Sequence, residues 1–164
     1  MKRISLTLCL AFLTVLFCQA QVAPLKFNKN GEFKIVQFTD IHFQYHNPAS
    51  AIALKRINEV LDAERPDLIV FTGDVVYAPP ADTAMRAVLD CASSRKIPFV
   101  VTFGNHDNEQ GKTRAELYDI IRSMPYNIQP DRGSVESPDY VLTVKSSDGK
   151  KDASVLYCLD SHSY

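Results

Sequence analysis

The sequence has little net charge, no charged block, no low-complexity segment and no internal repeat. Its 18 basic and 19 acidic residues leave a formal charge of −1. Binding to nucleic acid depends on clustered Lys and Arg, so this balance gives no electrostatic case for a nucleic-acid partner. The apolar fraction of 46% is ample for the packed core of one domain.

The N-terminal hydrophobic run is too short for a stable membrane anchor. Two basic residues precede the apolar residues 4–17, and small residues then lead to a plausible cleavage point before Gln21. A spanning helix needs about 20 apolar residues, whereas this pattern is typical of a secretory signal peptide. We predict a signal peptide over residues 1–20, export to the periplasm or the medium, and a mature domain over residues 21–164.

Cysteine is scarce, and export would leave only Cys91 and Cys158 in the mature chain. Two cysteines cannot make a disulfide framework. One disulfide between these two cysteines is an alternative in an oxidising compartment, although two separately buried thiols are the simpler expectation. We assign these thiols no chemistry.

Apolar residues alternate between strand-like and helix-like spacing. The predicted order is a strand over 33–40, a helix over 50–64, a strand over 67–72, a helix with the core stripe Ala81, Met85, Val88 and Ala92, a strand after Pro98, and a helix with Leu117, Ile120, Ile121 and Met124. This alternation is typical of a parallel α/β sheet. Strand-like residues 140–144 and 155–160 then flank an Asp-Gly turn signal at residues 147–150. We therefore predict three βα units followed by an antiparallel hairpin.

Polar side chains follow each of the three predicted parallel strands. They are Asp40 and His42, then Gly73 and Asp74, then Gly104, Asn105, His106 and Asp107. In open α/β sheets, ligands bind at the carboxyl ends of the strands, so we expect these clusters to meet at one edge. Any one of these residues alone would more often be a turn or cap residue, but their joint placement favours a site.

The residue types in these clusters suit a pair of metal ions. Carboxylate, amide and imidazole ligands together favour Fe, Mn or Zn, because Ca and Mg prefer all-oxygen shells. Asp74 could bridge two ions, and Asn105 offers an amide oxygen to the second. Two ions about 3.5–4 Å apart clamp a phosphate and generate a hydroxide nucleophile. His106 suits protonation of the leaving oxygen, because Asp107 beside it could orient the ring and support its charged form.

These blocks resemble the first three signature blocks of the calcineurin-like metallophosphoesterases. The matching residues are Asp40-Ile41-His42, Gly73-Asp74 and Gly104-Asn105-His106-Asp107, and residues 156–161 are similar to a segment of the secreted, purple acid phosphatase-like branch. The resemblance covers roughly residues 33–160. It implies a four-layer αββα sandwich with the metal centre between its sheets, of which this chain would hold the N-terminal half.

The resemblance also implies a role for each site residue. Asp40 and His42 would bind the first metal, Asp74 would bridge the two metals, and Asn105 would bind the second. His106 and Asp107 would lie near the leaving group. The implied reaction is hydrolysis of a small phosphomonoester by a metal-bound hydroxide.

Two features depart from the family's pattern. Tyr77 stands where purple acid phosphatases place a metal-binding tyrosinate, yet those enzymes lack the histidine present here as His42. We expect His42 to be the ligand and Tyr77 to be an aromatic residue near the site. The family also completes its site with later histidines, whereas this sequence has His42, His46, His106 and His162 alone. We expect His46 in a solvated loop, His162 at a rim or on the surface, and a truncated domain.

Two other interpretations stay open. The chain could be a non-catalytic fragment without the C-terminal metal ligands, or it could belong to a phosphodiesterase or nuclease of the same superfamily. The coding DNA directly downstream of the Tyr164 codon would test the first interpretation. The relative rates of hydrolysis of phosphodiesters and phosphomonoesters would test the second interpretation.

Overall fold

The computed structural model describes residues 22–162, so the predicted signal peptide lies outside the described residues. The elements follow the predicted order and are β1 (Ile35–Phe38), α1 (Ala51–Glu64), β2 (Leu68–Thr72), α2 (Ala81–Ser93), β3 (Phe99–Thr102), α3 (Arg114–Arg122), β4 (Tyr140–Lys145) and β5 (Asp152–Cys158). Within this range, none of the helices combines the length and the hydropathy that a membrane crossing requires.

Strands β1, β2 and β3 form a parallel sheet with β2 in the middle. Leu68, Ile69 and Phe71 of β2 are fully buried, as expected for a strand that is covered on both faces. The outer edge of β3 is paired with a later segment, because Ile128 N donates to the carbonyl oxygen of Phe99 at 3.1 Å. The parallel order places the ends of all three strands at one edge of the sheet.

The three helices cover one face of this sheet. Ile69, Phe71, Phe99 and Val101 alternate onto that face and pack against the apolar stripes of α1, α2 and α3. Helix α3 begins with a capping box in which Thr113 and Glu116 each accept from the other's backbone N–H. The packed core thus lies between the helices and the sheet.

Strands β4 and β5 form an antiparallel hairpin, with Leu142 opposite Leu156. The hairpin packs on the opposite face of the parallel sheet, where Val70 and Val100 meet its inner side chains. The described residues therefore form a helix layer and two sheet layers, which confirms the prediction of three βα units and a hairpin. Cys91 and Cys158 are both buried and free, as expected.

Candidate metal centre

The loops after β1, β2 and β3 meet at one edge of the parallel sheet. The backbone N–H of Asp40 donates to the carbonyl oxygen of Gly73 at 3.1 Å, and that of His42 donates to the carbonyl oxygen of Asp74 at 2.9 Å. The third loop joins them, because the backbone N–H of His106 donates to Asp74 Oδ1 at 2.9 Å. The three polar clusters of the sequence are thus in direct contact.

His42, Asp74 and His106 form a possible metal site. Each offers one ligand atom, and these three atoms lie within 4.8 Å of one another. His42 Nε2 is 3.4 Å from Asp74 Oδ2. This nitrogen is buried and makes no hydrogen bond in the described part of the chain. Buried polar atoms are normally paired, and a bound cation would satisfy this nitrogen and the carboxylate together, so the residues fit a metal.

The backbone is strained at three of the predicted ligands. Asp40, His42 and Asp74 have φ values of 52°, 50° and 51°, in the left-handed region that residues with a Cβ rarely adopt. Each such conformation costs about 1–3 kcal/mol and persists only where the surrounding structure enforces it. These three residues are the ones at which the loops after β1 and β2 turn into the site.

Gly104 allows the loops to approach each other closely. A Cβ at this position would lie 2.5 Å from the backbone N of Asp74 and would overlap its carboxylate. Gly73 is in a similar position, since a Cβ there would lie 2.5 Å from Gly104 N. Both glycines are therefore required by contact between the second and third loops.

The carboxylate of Asp107 connects the loops that follow β2 and β3 through hydrogen bonds to their backbone amides. Asp107 is completely buried, and its carboxylate accepts backbone N–H bonds from Asp74 at 3.0 Å, Val75 at 2.8 Å, Val76 at 3.2 Å and Gly104 at 2.9 Å. Burial raises the pKa of Asp107, and the amide bonds act in the opposite direction. The carboxylate is thus committed to backbone amides, which corrects the expectation that it orients the ring of His106.

The residue that bonds the His106 ring is Glu109. Its Oε2 lies 2.7 Å from Nδ1, and this hydrogen bond raises the pKa of His106 above its ordinary value. Glu109 is not among the site residues predicted from the sequence, because it lies beyond the motif. Its spacing of three residues from His106 on the short helical turn Asp107–Glu109 is the signal that could have found it.

The remaining predicted residues lie around this group. Tyr77 is 44% exposed, and its ring centre lies 4.9 Å from that of His42 and 5.1 Å from that of His106. Asp40 is exposed and accepts a hydrogen bond from the Thr39 hydroxyl at 2.6 Å. Asp40 does not join the three-residue group among residues 22–162. Asn105 is half-buried between Gly104 and His106.

The other two histidines lie outside the group. His46 is exposed and its ring packs against that of Tyr45. His162 is also exposed, and its backbone N–H donates to Asp160 Oδ1 at 2.9 Å. Both positions agree with the expectation of surface or rim histidines.

The fold is a mixed α/β architecture with a possible metal site at one sheet edge, and comparison with known families gives its class. The family model described as Calcineurin-like phosphoesterase matches residues 33–159. The chain therefore belongs to the calcineurin-like phosphoesterase family, whose members are hydrolases of phosphate esters. The mixed α/β architecture is consistent with the N-terminal half of such a domain.

Curated relatives match the same region. The Saccharomyces cerevisiae protein named "Phosphatase DCR2" is 30% identical over 82% of this chain and 27% of its own length. "Probable inactive purple acid phosphatase 29" of Arabidopsis thaliana is 37% identical over 65% of this chain and 32% of its own length. "UDP-2,3-diacylglucosamine pyrophosphatase LpxG" of Chlamydia trachomatis is 31% identical over 51% of this chain. The alignments cover 25–32% of the length of these three relatives.

Proposed function

We propose that this protein is an exported, metal-dependent phosphoesterase that hydrolyses small phosphate monoesters. One observation carries the proposal: His42 Nε2 is buried, makes no hydrogen bond in the described part of the chain, and faces the Asp74 carboxylate at 3.4 Å. Family membership supports the reaction class. The N-terminal apolar run supports export to the periplasm or the medium.

Four residues would hold two divalent or trivalent ions, with Fe, Mn or Zn as the candidates. Asp40 and His42 would bind one ion, Asn105 would bind the other, and Asp74 would bridge the pair. When bound, two such cations hold phosphate oxygens and lower the pKa of a water molecule. The strained backbone at Asp40, His42 and Asp74 supports this assignment, because strain of this kind concentrates at ligand sites.

His106 would protonate the leaving oxygen of the ester. A carboxylate can only accept a hydrogen bond, so the bond to Glu109 places a proton on Nδ1 and leaves Nε2 to serve the substrate. Glu109 also favours the charged ring, which is the form that can donate a proton. Asp107 would keep the loops in place through its four amide bonds.

A second candidate is a member of the family that binds metal without catalysis. The observation in its favour is that three relatives carry the word "inactive" in their names. Such a protein would use the same residues to hold metal and would lack the hydrolytic step.

The proposal is tested by hydrolysis of p-nitrophenyl phosphate and bis(p-nitrophenyl) phosphate after loading with Mn²⁺, Zn²⁺ or Fe³⁺. We expect faster cleavage of the monoester. Asp74→Ala should abolish metal binding. His106→Ala should retain metal, because the four proposed ligands are unchanged, and should lose about 10²–10⁴ in rate. Loss of metal in His106→Ala would instead make His106 a ligand together with His42 and Asp74. Asp62→Ala, at an exposed carboxylate on α1, is the matched control. Faster cleavage of the diester would identify a diesterase, and metal binding without hydrolysis would support the second candidate.

A further inference from the structure

Arg114, at the start of α3, connects three parts of the molecule. Its Nη1 donates to the carbonyl oxygen of Gly104 at 3.0 Å and to Asn108 Oδ1 at 3.4 Å. Its Nη2 pairs with Asp160 Oδ1, just beyond the end of β5. The guanidinium carbon also lies 5.1 Å from the ring centre of Phe103. This one side chain therefore joins the hairpin sheet to the loop that follows β3.

The Arg114–Asp160 pair is buried, with the two side chains 6% and 2% exposed. Arg114 Nε and Asp160 Oδ2 make no hydrogen bond in the described part of the chain. Taking two charges out of water costs free energy that their attraction often fails to offset. A buried pair is thus weak evidence for a contribution to stability, and what the pair holds is the better guide to its role.

The Gly104 carbonyl that Arg114 holds lies in the loop that carries Asn105 and His106. Gly104 packs so closely on Asp74 that a Cβ at Gly104 would lie 2.5 Å from the Asp74 backbone N. Asp74 in turn accepts the backbone N–H of His106 at 2.9 Å. A displacement of the Gly104 carbonyl would therefore change the placement of Asn105 and His106 relative to Asp74.

We propose that Arg114, held in place by Asp160, is a positioning residue for the metal centre. By fixing the Gly104 carbonyl it sets the position of the loop that carries Asn105 and His106. The affinity for metal then depends on the hairpin sheet, through the strand end that carries Asp160. This inference rests on the proposed function, because it requires the centre to bind metal.

The test is a calorimetric titration of the whole chain with Mn²⁺, together with urea unfolding of the same variants without metal. Arg114→Met removes the guanidinium, and Arg114→Lys keeps the charge but loses the forked geometry. We expect both variants to bind Mn²⁺ about 10- to 100-fold more weakly, as is usual when a residue that orients metal ligands is lost. Arg132→Met, at a partly exposed ion pair with Asp119, is the matched control and should bind Mn²⁺ normally.

The variant Leu117→Ala distinguishes a positioning role of Arg114 from a merely structural one. It removes the buried side chain of Leu117, on α3, from the hydrophobic core. Weaker Mn²⁺ binding by Arg114→Met but not by an equally destabilised Leu117→Ala supports positioning, and equal weakening in both overturns it. Asp160→Asn should also weaken binding, with a smaller effect in the Arg114→Met background because the two residues act together.

The failure of this inference is distinguishable from the failure of the proposed function. If the unmodified chain binds no Mn²⁺, Zn²⁺ or Fe³⁺, the proposed function is overturned and this inference with it. If the unmodified chain binds Mn²⁺ and the Arg114 and Asp160 variants bind it equally well, only the positioning role is overturned.

Discussion

Glu109 and His106 form a hydrogen-bonded pair in which the carboxylate Oε2 lies 2.7 Å from the ring Nδ1. The pair is local, since both residues belong to the loop that follows β3. Asp107 lies between them in sequence but points into the protein, where it bonds the amides of the neighbouring loops. Two carboxylates that are two residues apart in one loop, Asp107 and Glu109, thus have different roles.

Glu109→Gln is expected to lower the pKa of His106, because Glu109 raises that pKa through a hydrogen bond and its charge. If His106 donates a proton, activity falls as pH rises through its pKa, so the alkaline limb of kcat/KM should move to lower pH. The pKa itself can be measured by NMR titration of the histidine rings. Glu59→Gln, at an exposed carboxylate on α1, is the control. An unchanged His106 titration in Glu109→Gln would contradict the assignment.

Asp107→Ala is expected to destabilise the fold by about 3 kcal/mol or more. The substitution removes the acceptor for the backbone N–H groups of Asp74, Val75, Val76 and Gly104, and each unsatisfied buried donor costs about 1–3 kcal/mol. Urea unfolding measures the loss. Asp152→Ala removes an exposed carboxylate that pairs with Lys145 and should change stability by less than about 1 kcal/mol. Similar stability of Asp107→Ala and Asp152→Ala would show that the amide bonds to Asp107 do not stabilise the fold.

Gly104→Ala is expected to abolish metal binding and to destabilise the protein by about 1–3 kcal/mol, because the added Cβ overlaps Asp74. Gly111→Ala is an informative control. A Cβ at Gly111 meets nothing within 4 Å, but its φ of +83° is strained for alanine. Gly111→Ala should therefore lose about 1–2 kcal/mol of stability and keep its affinity for metal. Loss of metal binding in both variants would show that general destabilisation is the cause.

Tyr77→Phe is expected to leave metal affinity unchanged, because Tyr77 packs edge-on against His42 and His106 as an aromatic neighbour. His42→Ala should weaken metal binding instead, since it removes the nitrogen that faces Asp74. Calorimetry with Mn²⁺ measures both affinities. The Fe³⁺-loaded protein should show no tyrosinate charge-transfer colour, and a visible band that disappears in Tyr77→Phe would make Tyr77 a ligand.

Asp160→Asn is expected to cost about 3 kcal/mol at neutral pH, because it leaves Arg114 buried without its counter-charge. Burial acts to raise the pKa of Asp160, but the hydrogen bonds from Arg114 and the His162 backbone N–H, together with the Arg114 charge, outweigh it and the pKa is lowered. A lowered folded-state pKa contributes stability above the unfolded value of about 3.9. The difference between Asp160→Asn and the unmodified protein should therefore shrink from about pH 5 downward.

Urea unfolding at several pH values measures this dependence. Asp62→Asn, at an exposed carboxylate on α1, should show little change at any pH. A constant difference between Asp160→Asn and the unmodified protein across the acid range would mean that the Asp160 charge does not stabilise the fold.

Local patterns in the sequence were enough to predict the framework of the molecule. The apolar runs before Asp40, Asp74 and Gly104 form the three parallel strands, of which β2 and β3 are mostly buried and β1 alternates between exposed and half-buried residues. Parallel strands necessarily end at one edge of their sheet. That rule brings distant residues such as His42 and His106 together without further information. The Asp-Gly turn likewise identified the hairpin, because its signal lies within four consecutive residues.

The sequence by itself thus determined the order of the elements and the edge at which the polar clusters meet, since both depend on short-range periodicity. Only the tertiary structure decided what each carboxylate does. Asp107 bonds amides of a loop more than 30 residues earlier, and Asp160 pairs with Arg114 across 46 residues. Such partners depend on how the loops turn and how the two sheets pack, and no spacing along the chain records that geometry.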